Sequence, residues 1–157
     1  MTTTKRKTLI GRAEEVRFPG LGNCVLPARI DTGAKTSSIW ATDITETPEG
    51  LRVRFASPSH DIYQHEMLFP HYEQTAVASS NGSVQLRYKV RISMVLQGRR
   101  IRAAFTLADR STQAYPVLIG RSALHGKFVV DVQERGATQH EAELKRSATL
   151  RKEREQS

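Results

Sequence analysis

The chain has 157 residues, and its 24 Lys and Arg against 16 Asp and Glu give a formal net charge of +8 and a pI near 10.1. A single domain of this length buries about 70% of its unfolded surface, which is enough for a hydrophobic core. The single Cys24 excludes an internal disulfide. No apolar run reaches the ~18 residues of a membrane-spanning helix and the polar start lacks a signal-peptide pattern, so we expect a soluble, cytoplasmic protein without membrane contact.

The excess of positive charge favours anionic partners such as nucleic acid, the ribosome or an acidic peptide. The alternative is a basic surface that has no specific partner. Net charge affects solubility and the attraction of charged partners, but it does not specify the fold. The choice between these two interpretations therefore depends on the motifs of the chain.

Three regions of the chain differ in composition. Residues 1–8 are polar and predict a flexible amino-terminal arm, residues 9–133 carry the strand patterns of one domain, and residues 134–157 are highly charged. The tail contains good helix formers but no continuous apolar stripe. We therefore expect it to be disordered or to form a marginal helix from Gln139 to Glu155.

Short strand patterns dominate the predicted domain, and turn sequences such as Pro19-Gly20 and Gln97-Gly98 separate them. The predicted strands are Ala13–Phe18, Cys24–Ile30, Leu51–Ala56, Ile62–Phe69, Gln74–Ala78, Val84–Leu96, Arg100–Leu107, Val117–Ile119 and Phe128–Val132. The pair Asn81-Gly82 between two of them predicts a β-hairpin. One short helix is expected over Arg121–Leu124, before Gly126. The pattern indicates a compact, all-β, barrel-like domain.

The triplet Asp31-Thr32-Gly33 directly follows an apolar strand pattern, as the catalytic loop of an aspartic protease does. In these enzymes two carboxylates share a proton to activate water. This chain has one copy of the triplet, so a second carboxylate has to come from an identical chain, or the protein is not such an enzyme. The structural alternative is an Asp that merely opens a tight turn.

A second motif, Pro116-Val117-Leu118-Ile119-Gly120-Arg121, is an apolar strand that ends in Gly-Arg and runs into the predicted helix. Together with Asp31-Thr32-Gly33-Ala34 it resembles the retropepsins, single-domain aspartic proteases. Over residues 9–133 the chain is similar to a bacterial retropepsin-like family called RimB and also labelled an ATP-dependent zinc protease. The further segments that carry this resemblance are Ala28–Ser38, Ser79-Ser80-Asn81-Gly82, Arg87, Leu107–Arg110, Tyr115 and Phe128–Asp131.

The resemblance implies a closed acid-protease barrel with one short helix after the Gly-Arg motif, and an aspartic peptidase that is active as a homodimer. It implies Asp31, Thr32 and Gly33 as the catalytic loop, and Ser79, Ser80, Asn81 and Gly82 as a substrate-covering flap. The family is associated with ATP-grasp glutamate ligases that extend a ribosomal protein. The implied partner is such a ligase, and the implied substrate is a glutamate-rich or glutamate-extended peptide tail of a ribosomal protein.

Lys35 stands where viral retropepsins carry an acidic residue that pairs with the Arg of the Gly-Arg motif. Two interpretations follow for Arg121. In the first, Lys35, Arg87 and Arg121 form a pocket that accepts glutamate side chains. In the second, Arg121 pairs with an internal acid such as Asp109 or Asp131.

The zinc and ATP of the family label have no matching motif in this sequence. It contains neither a phosphate-binding Gly-x-x-x-x-Gly-Lys-Ser/Thr loop nor a His-Glu-x-x-His zinc motif. The spacing of His60, His65 and His71 fits neither a helical pair nor a zinc finger. We therefore expect no cofactor and no metal site.

Two rival functions remain open at this stage. A retropepsin-like binding module would hold an acidic peptide or the ribosome without cutting it, although binding alone does not require Asp31. A metalloprotease would lose activity with a chelator. The dimer geometry is also open, because Phe128–Val132 could form an interface strand or close the barrel of one chain.

Overall fold

The computed structural model describes residues 6–78 and 81–134. A four-residue helix, α1 (Arg121–Leu124), and two 3-10 turns, Pro19–Leu21 and Asp61–Gln64, accompany the strands. The strands are β1 (Thr8–Ile10), β2 (Ala13–Phe18), β3 (Cys24–Ile30), β4 (Ser37–Thr47), β5 (Gly50–Phe55), β6 (Met67–Phe69), β7 (Glu73–Ala78), β8 (Val84–Leu96), β9 (Arg99–Ala108), β10 (Val117–Ile119) and β11 (Phe128–Val130). In this part of the chain, no helix has the length and apolar character needed to cross a bilayer.

Six strands close into a ring. Strand β2 pairs antiparallel with β3 and with β8, and β8 pairs antiparallel with β9. Strand β9 pairs parallel with β4. The short β10 closes the ring, because it pairs antiparallel with β4 and parallel with β3. The predicted all-β closed barrel is confirmed, and so is the short helix that follows Gly120.

The hydrophobic core lies inside this ring. It is formed by buried residues that alternate with more exposed residues along the strands. In β8, Val90, Ile92, Met94 and Leu96 are all 2% exposed or less, as a period of two predicts for a strand with one buried face. The first half of the same strand, where it pairs with β7, is exposed over Val84–Leu86 and half-buried over residues 87–89. The β7–β8 hairpin therefore extends away from the packed core.

The remaining strands lie outside the ring. Strands β5 and β6 continue the sheet from β4. Strand β1 pairs parallel with β11, with Thr8 opposite Phe128 and Ile10 opposite Val130. The segment predicted as Phe128–Val132 thus ends as a strand at Val130 and does not close the barrel. The first strand begins at Thr8, the last residue of the arm predicted over residues 1–8.

Two strands, β1 and β4, were not predicted, and one predicted strand was wrong. Strand β4 was not predicted, because its first residues, Ser37 and Ser38, are small and polar and follow a loop motif. They are nevertheless buried, since β4 lies between β9 and β10. The strand predicted over Ile62–Phe69 is instead a 3-10 turn followed by β6, because only Ile62 of the turn is buried. The helix considered for Gln139–Glu155 lies outside the described residues.

Candidate active site

Asp31 follows the last residue of β3 and begins a tight turn. Its backbone N–H donates to the carbonyl of Ile119 at 2.9 Å, which ties the start of the loop to β10. Its carboxylate oxygen Oδ1 accepts a hydrogen bond from the N–H of Gly33 at 2.9 Å, and its carbonyl accepts one from Ala34 at 3.3 Å. The Asx-turn that the sequence offered as a structural alternative is therefore present. It holds the carboxylate in a fixed place.

The loop presents the Asp-Thr-Gly triplet at the surface. Asp31 is half-buried, whereas Thr32 and Gly33 are exposed. A Cβ atom at Gly33 would lie 3.2 Å from Oδ1 of Asp31, so any larger residue would crowd the carboxylate. An exposed loop with a fixed carboxylate at its edge can meet a second loop of the same kind.

The Gly-Arg motif stabilises the Asp31 loop through backbone hydrogen bonds. The N–H of Arg121 donates to the carbonyl of Ala34 at 2.7 Å, and the N–H of Ser122 donates to Lys35 at 3.0 Å. A Cβ at Gly120 would lie 2.8 to 2.9 Å from backbone atoms of Thr36 and Ala34, which is closer than real Cβ contacts. Only glycine lets β10 approach the loop this closely.

The side chain of Arg121 also belongs to this support. Its Nη1 donates to the carbonyl of Thr32 at 3.2 Å. The carboxylates of Asp109 and Asp131, which were the alternative partners, accept hydrogen bonds from the backbone of Ser111 and Gln133 in their own turns. Within the described residues, Arg121 has no ion pair with either acid.

A positively charged cleft of about 430 Å³ lies beside the loop, between it and the β7–β8 hairpin, and we name it the basic cleft. Its charged lining residues are Lys35, Arg87, Lys89 and Arg110, and none of the lining residues in the described part of the chain is acidic. The remaining lining residues are Ala34, Thr36, Ser38, Thr75, Ala76, Val77, Ala78, Thr106 and Leu118. Lys35 and Arg87 of the expected pocket thus line one cleft, but Arg121 is not among its lining residues.

Arg110 is a cleft residue that sequence reasoning did not single out. Burial lowers the pKa of its guanidinium, the charges of Arg87 and Arg29 lower it further, and Asp31 acts in the opposite direction. Its Nε donates to the carbonyl of Tyr115 at 3.0 Å, which fixes the side chain. Arg110 belongs to the segment Leu107–Arg110 that carries the family resemblance, but nothing in the sequence assigned it to the expected pocket.

The hairpin expected to act as a flap is present. Strands β7 and β8 are antiparallel partners from Ala78 opposite Val84 back to Glu73 opposite Lys89. In the connecting loop, Oδ1 of Asn81 accepts hydrogen bonds from the backbone and hydroxyl of Ser83, and Gly82 has a φ of +85°. Ser79 and Ser80, which were expected to take part in the flap, lie outside the described residues.

Two of the three clustered histidines have structural contacts. Nδ1 of His60 lies 3.0 Å from the hydroxyl of Ser57, and its ring stands edge-on to Trp40 at 5.7 Å. The ring of His65 lies against Gly22. Residues 6–78 and 81–134 contain no group of three His, Cys, Asp or Glu side chains that could hold a metal ion. The histidines described here therefore do not fit a zinc centre.

Comparison with curated proteins finds relatives that are much longer than this chain. A "Probable alpha-L-glutamate ligase" of Shewanella halifaxensis is 32% identical over 133 residues, which are 82% of this chain and 29% of that protein. A protein of the same description from Parasynechococcus marenigrum is 30% identical over 131 residues, or 80% of this chain and 28% of the relative. The chain therefore spans less than a third of these relatives.

Among solved structures, the chain is similar to a Legionella pneumophila protein of unknown function (DUF785). The TM-score is 0.65 and the sequence identity 26%, over 85% of this chain and 99% of that one. The family model of the "retropepsin-like aspartic endopeptidase RimB" matches residues 9–141, a span that contains the Asp-Thr-Gly loop, the hairpin and the Gly-Arg motif. This match shows that the chain belongs to the RimB-like family of retropepsin-like aspartic endopeptidases.

Proposed function

We propose that the protein is an aspartic endopeptidase that works as a homodimer, with one Asp31 from each chain. The observation that carries this proposal is the loop itself, in which Asp31 is fixed by Gly33 and Ile119 and has exposed residues beside it. A non-catalytic binding module gains nothing from holding a carboxylate in this way. The sequence has a single Asp-Thr-Gly, so the second carboxylate has to come from a second chain.

In the proposed mechanism the two Asp31 carboxylates lie roughly 3 Å apart and share one proton, because like charges at that distance do not both ionise. The ionised carboxylate takes a proton from water as the water attacks the scissile carbonyl. The protonated carboxyl donates a hydrogen bond to the developing oxyanion. The roles then reverse, and a proton passes to the leaving amine. The β7–β8 hairpin excludes bulk water over the bound peptide.

The proposed substrate is a glutamate-rich or glutamate-extended peptide tail, such as that of a ribosomal protein. The basic cleft beside the catalytic loop supports this choice, because a chain of carboxylates complements Lys35, Arg87 and Arg110. The relatives described as glutamate ligases contain a region similar to this chain, which also supports a link to glutamate addition. An ATP-grasp ligase is the proposed partner in the cell.

The test incubates the purified protein with a ribosomal peptide that ends in several α-linked glutamates and follows the products by mass spectrometry. We expect the wild type to shorten the tail and Asp31→Asn to leave it intact. The variant Asp61→Asn makes the same chemical change at an exposed carboxylate outside the site and should cut normally. Cleavage that persists in Asp31→Asn would reject the aspartic mechanism, and cleavage that a chelator abolishes would favour a metalloprotease. Binding without cleavage would favour the binding module.

A further inference from the structure

The hydroxyl of Ser38 is the first sign that the basic cleft is built for a ligand. Ser38 is 6% exposed and is one of the residues that line the cleft, and its buried Oγ has no hydrogen-bond partner among the described residues. Buried hydroxyls in folded proteins are nearly always paired, because they lose their hydrogen bonds to water. The hydroxyl of the adjacent Ser37 follows this rule, since it accepts the N–H of Gly120 at 3.0 Å.

The charge of the same cleft is the second sign. Arg110 is half-buried near Arg87, Arg29 and Asp31, and the repulsion between the three arginines is one cause of its lowered pKa. Lys89 has a partner, Glu73, at 3.3 Å. In the described part of the chain, by contrast, neither Arg87 nor Arg110 forms an ion pair with an acid. Clustered, partly desolvated cations of this kind favour an anion between them.

The remaining contacts show that the arginines are held in place. Nε of Arg110 donates to Tyr115, and Nε of Arg87 donates to Oε1 of Gln85 at 3.1 Å. Each bond uses one of the five N–H donors of a guanidinium, and the outer nitrogens remain available for a planar carboxylate.

We propose that the basic cleft binds one glutamate side chain of the substrate, with its carboxylate between Arg110 and Arg87 and accepting a hydrogen bond from Oγ of Ser38. This inference rests on the proposed function and adds to it the place and the residues of acid recognition. Ser38 and Arg110 act here as specificity residues and take no part in the chemical step. Since the hydroxyl and the guanidinium groups all donate, the pocket selects a carboxylate against the amide of glutamine.

The test is a binding titration with the cleavage-deficient Asp31→Asn protein, which separates recognition from catalysis. The probes are a peptide of four α-linked glutamates and its glutamine counterpart, and the measurement is isothermal titration calorimetry. We expect the glutamate peptide to bind at least tenfold more tightly. Ser38→Ala should weaken its binding about tenfold and Arg110→Gln about 10- to 100-fold, as expected for hydrogen bonds to a charged group. Binding of the glutamine peptide should change little.

Two further variants separate recognition in the cleft from the effects of net charge and of misfolding. Arg100→Gln removes the same charge from an exposed position of β9 and should leave binding within twofold of the parent. Arg110→Lys retains the charge but loses the two-pronged geometry, and it should weaken binding even where Arg110→Gln folds poorly.

The inference is overturned if Ser38→Ala binds like the parent, or if Arg100→Gln weakens binding as much as Arg110→Gln does, since net charge alone would then account for the affinity. Its failure can be separated from that of the proposed function. Wild-type protein that cleaves the glutamate peptide, with KM unchanged by Ser38→Ala and Arg110→Lys, retains the function and refutes the pocket. Wild-type protein that fails to cleave refutes the function whatever the binding data show.

Discussion

Ser37 and Ser38 lie side by side at the start of β4, and both are buried, but their hydroxyl groups have different surroundings. Oγ of Ser37 accepts the N–H of Gly120, and its carbonyl accepts the hydroxyl of Thr106. Oγ of Ser38 has no partner in the described structure. In a strand, neighbouring side chains point to opposite faces. The Ser37 hydroxyl joins β4 to the Gly-Arg motif, and the residue Ser38 is among those that line the basic cleft.

We predict that alanine substitutions at these two positions have opposite consequences for stability. Ser37→Ala leaves the buried N–H of Gly120 without a partner, which costs about 1–3 kcal/mol of the free energy of unfolding. Ser38→Ala removes a hydroxyl that has no such bond, so the free energy of unfolding should stay the same or rise slightly. Urea denaturation of the ligand-free protein measures both values. A Ser38→Ala variant as unstable as Ser37→Ala would contradict this assignment.

Strands β8 and β4 differ in how clearly the sequence predicts them. The alternating Val90, Ile92, Met94 and Leu96 predict their strand directly, since a half-buried strand imposes a period of two. Strand β4 gives no such signal, because its start, Ser37 to Ala41, is buried on both faces and therefore need not alternate.

The same difference exists within the candidate site, where the sequence reveals some residues and only the fold reveals others. The triplet at Asp31 and the Gly-Arg motif are local signals, and the sequence predicts that they come together because a family resemblance joins them. The basic cleft is different, because Ser38, Arg87 and Arg110 come from three strands or strand ends and are brought together by the closure of the ring. A single sequence gives no register between strands, so Ser38 and Arg110 could not be assigned to one site.

The turn after β9 contains a carboxyl group, that of Asp109, whose pKa is shifted. Two hydrogen bonds from Ser111 hold the pKa of the Asp109 carboxyl below its ordinary value of 3.8. The hydroxyl of Ser111 has the larger effect, and its backbone N–H has the smaller one. A carboxyl whose pKa is lower in the folded state stabilises the fold above its unfolded pKa, and this contribution disappears as the pH falls through the folded value. We therefore expect Ser111→Ala to raise the pKa of Asp109 and Ser111→Thr, which retains the hydroxyl, to leave it low.

Carboxyl NMR titration of Asp109 in the three proteins measures this directly. The turn also bears on the basic cleft, because Arg110 is the next residue. A pKa of Asp109 that is the same in Ser111→Ala and in the wild type would show that the serine hydroxyl does not hold this turn.

The Asp31 loop lies at the edge of the whole molecule, and the proposed mechanism depends on this position. Asp31 is the one Asp-Thr-Gly carboxylate of the sequence, and its loop lies at the surface with Thr32 and Gly33 exposed. In the proposed mechanism a general base and a general acid have to act together on one water molecule and one scissile carbonyl. On the proposed mechanism one chain supplies only half of this pair, so activity belongs to the assembled pair of chains.

We predict that Asp31→Asn chains suppress the activity of wild-type chains when the two kinds of chain share dimers. If both chains are unfolded together in urea and refolded at equal amounts, random pairing leaves about one quarter of the dimers with two wild-type chains. Cleavage of the glutamate-tailed peptide, counted per wild-type chain, should then fall to about half. Refolding with Asp61→Asn, which retains the catalytic carboxylate, should cause no loss. Cleavage that remains proportional to the amount of wild-type chain would mean that each chain carries a complete site, and the two-chain mechanism would have to be abandoned.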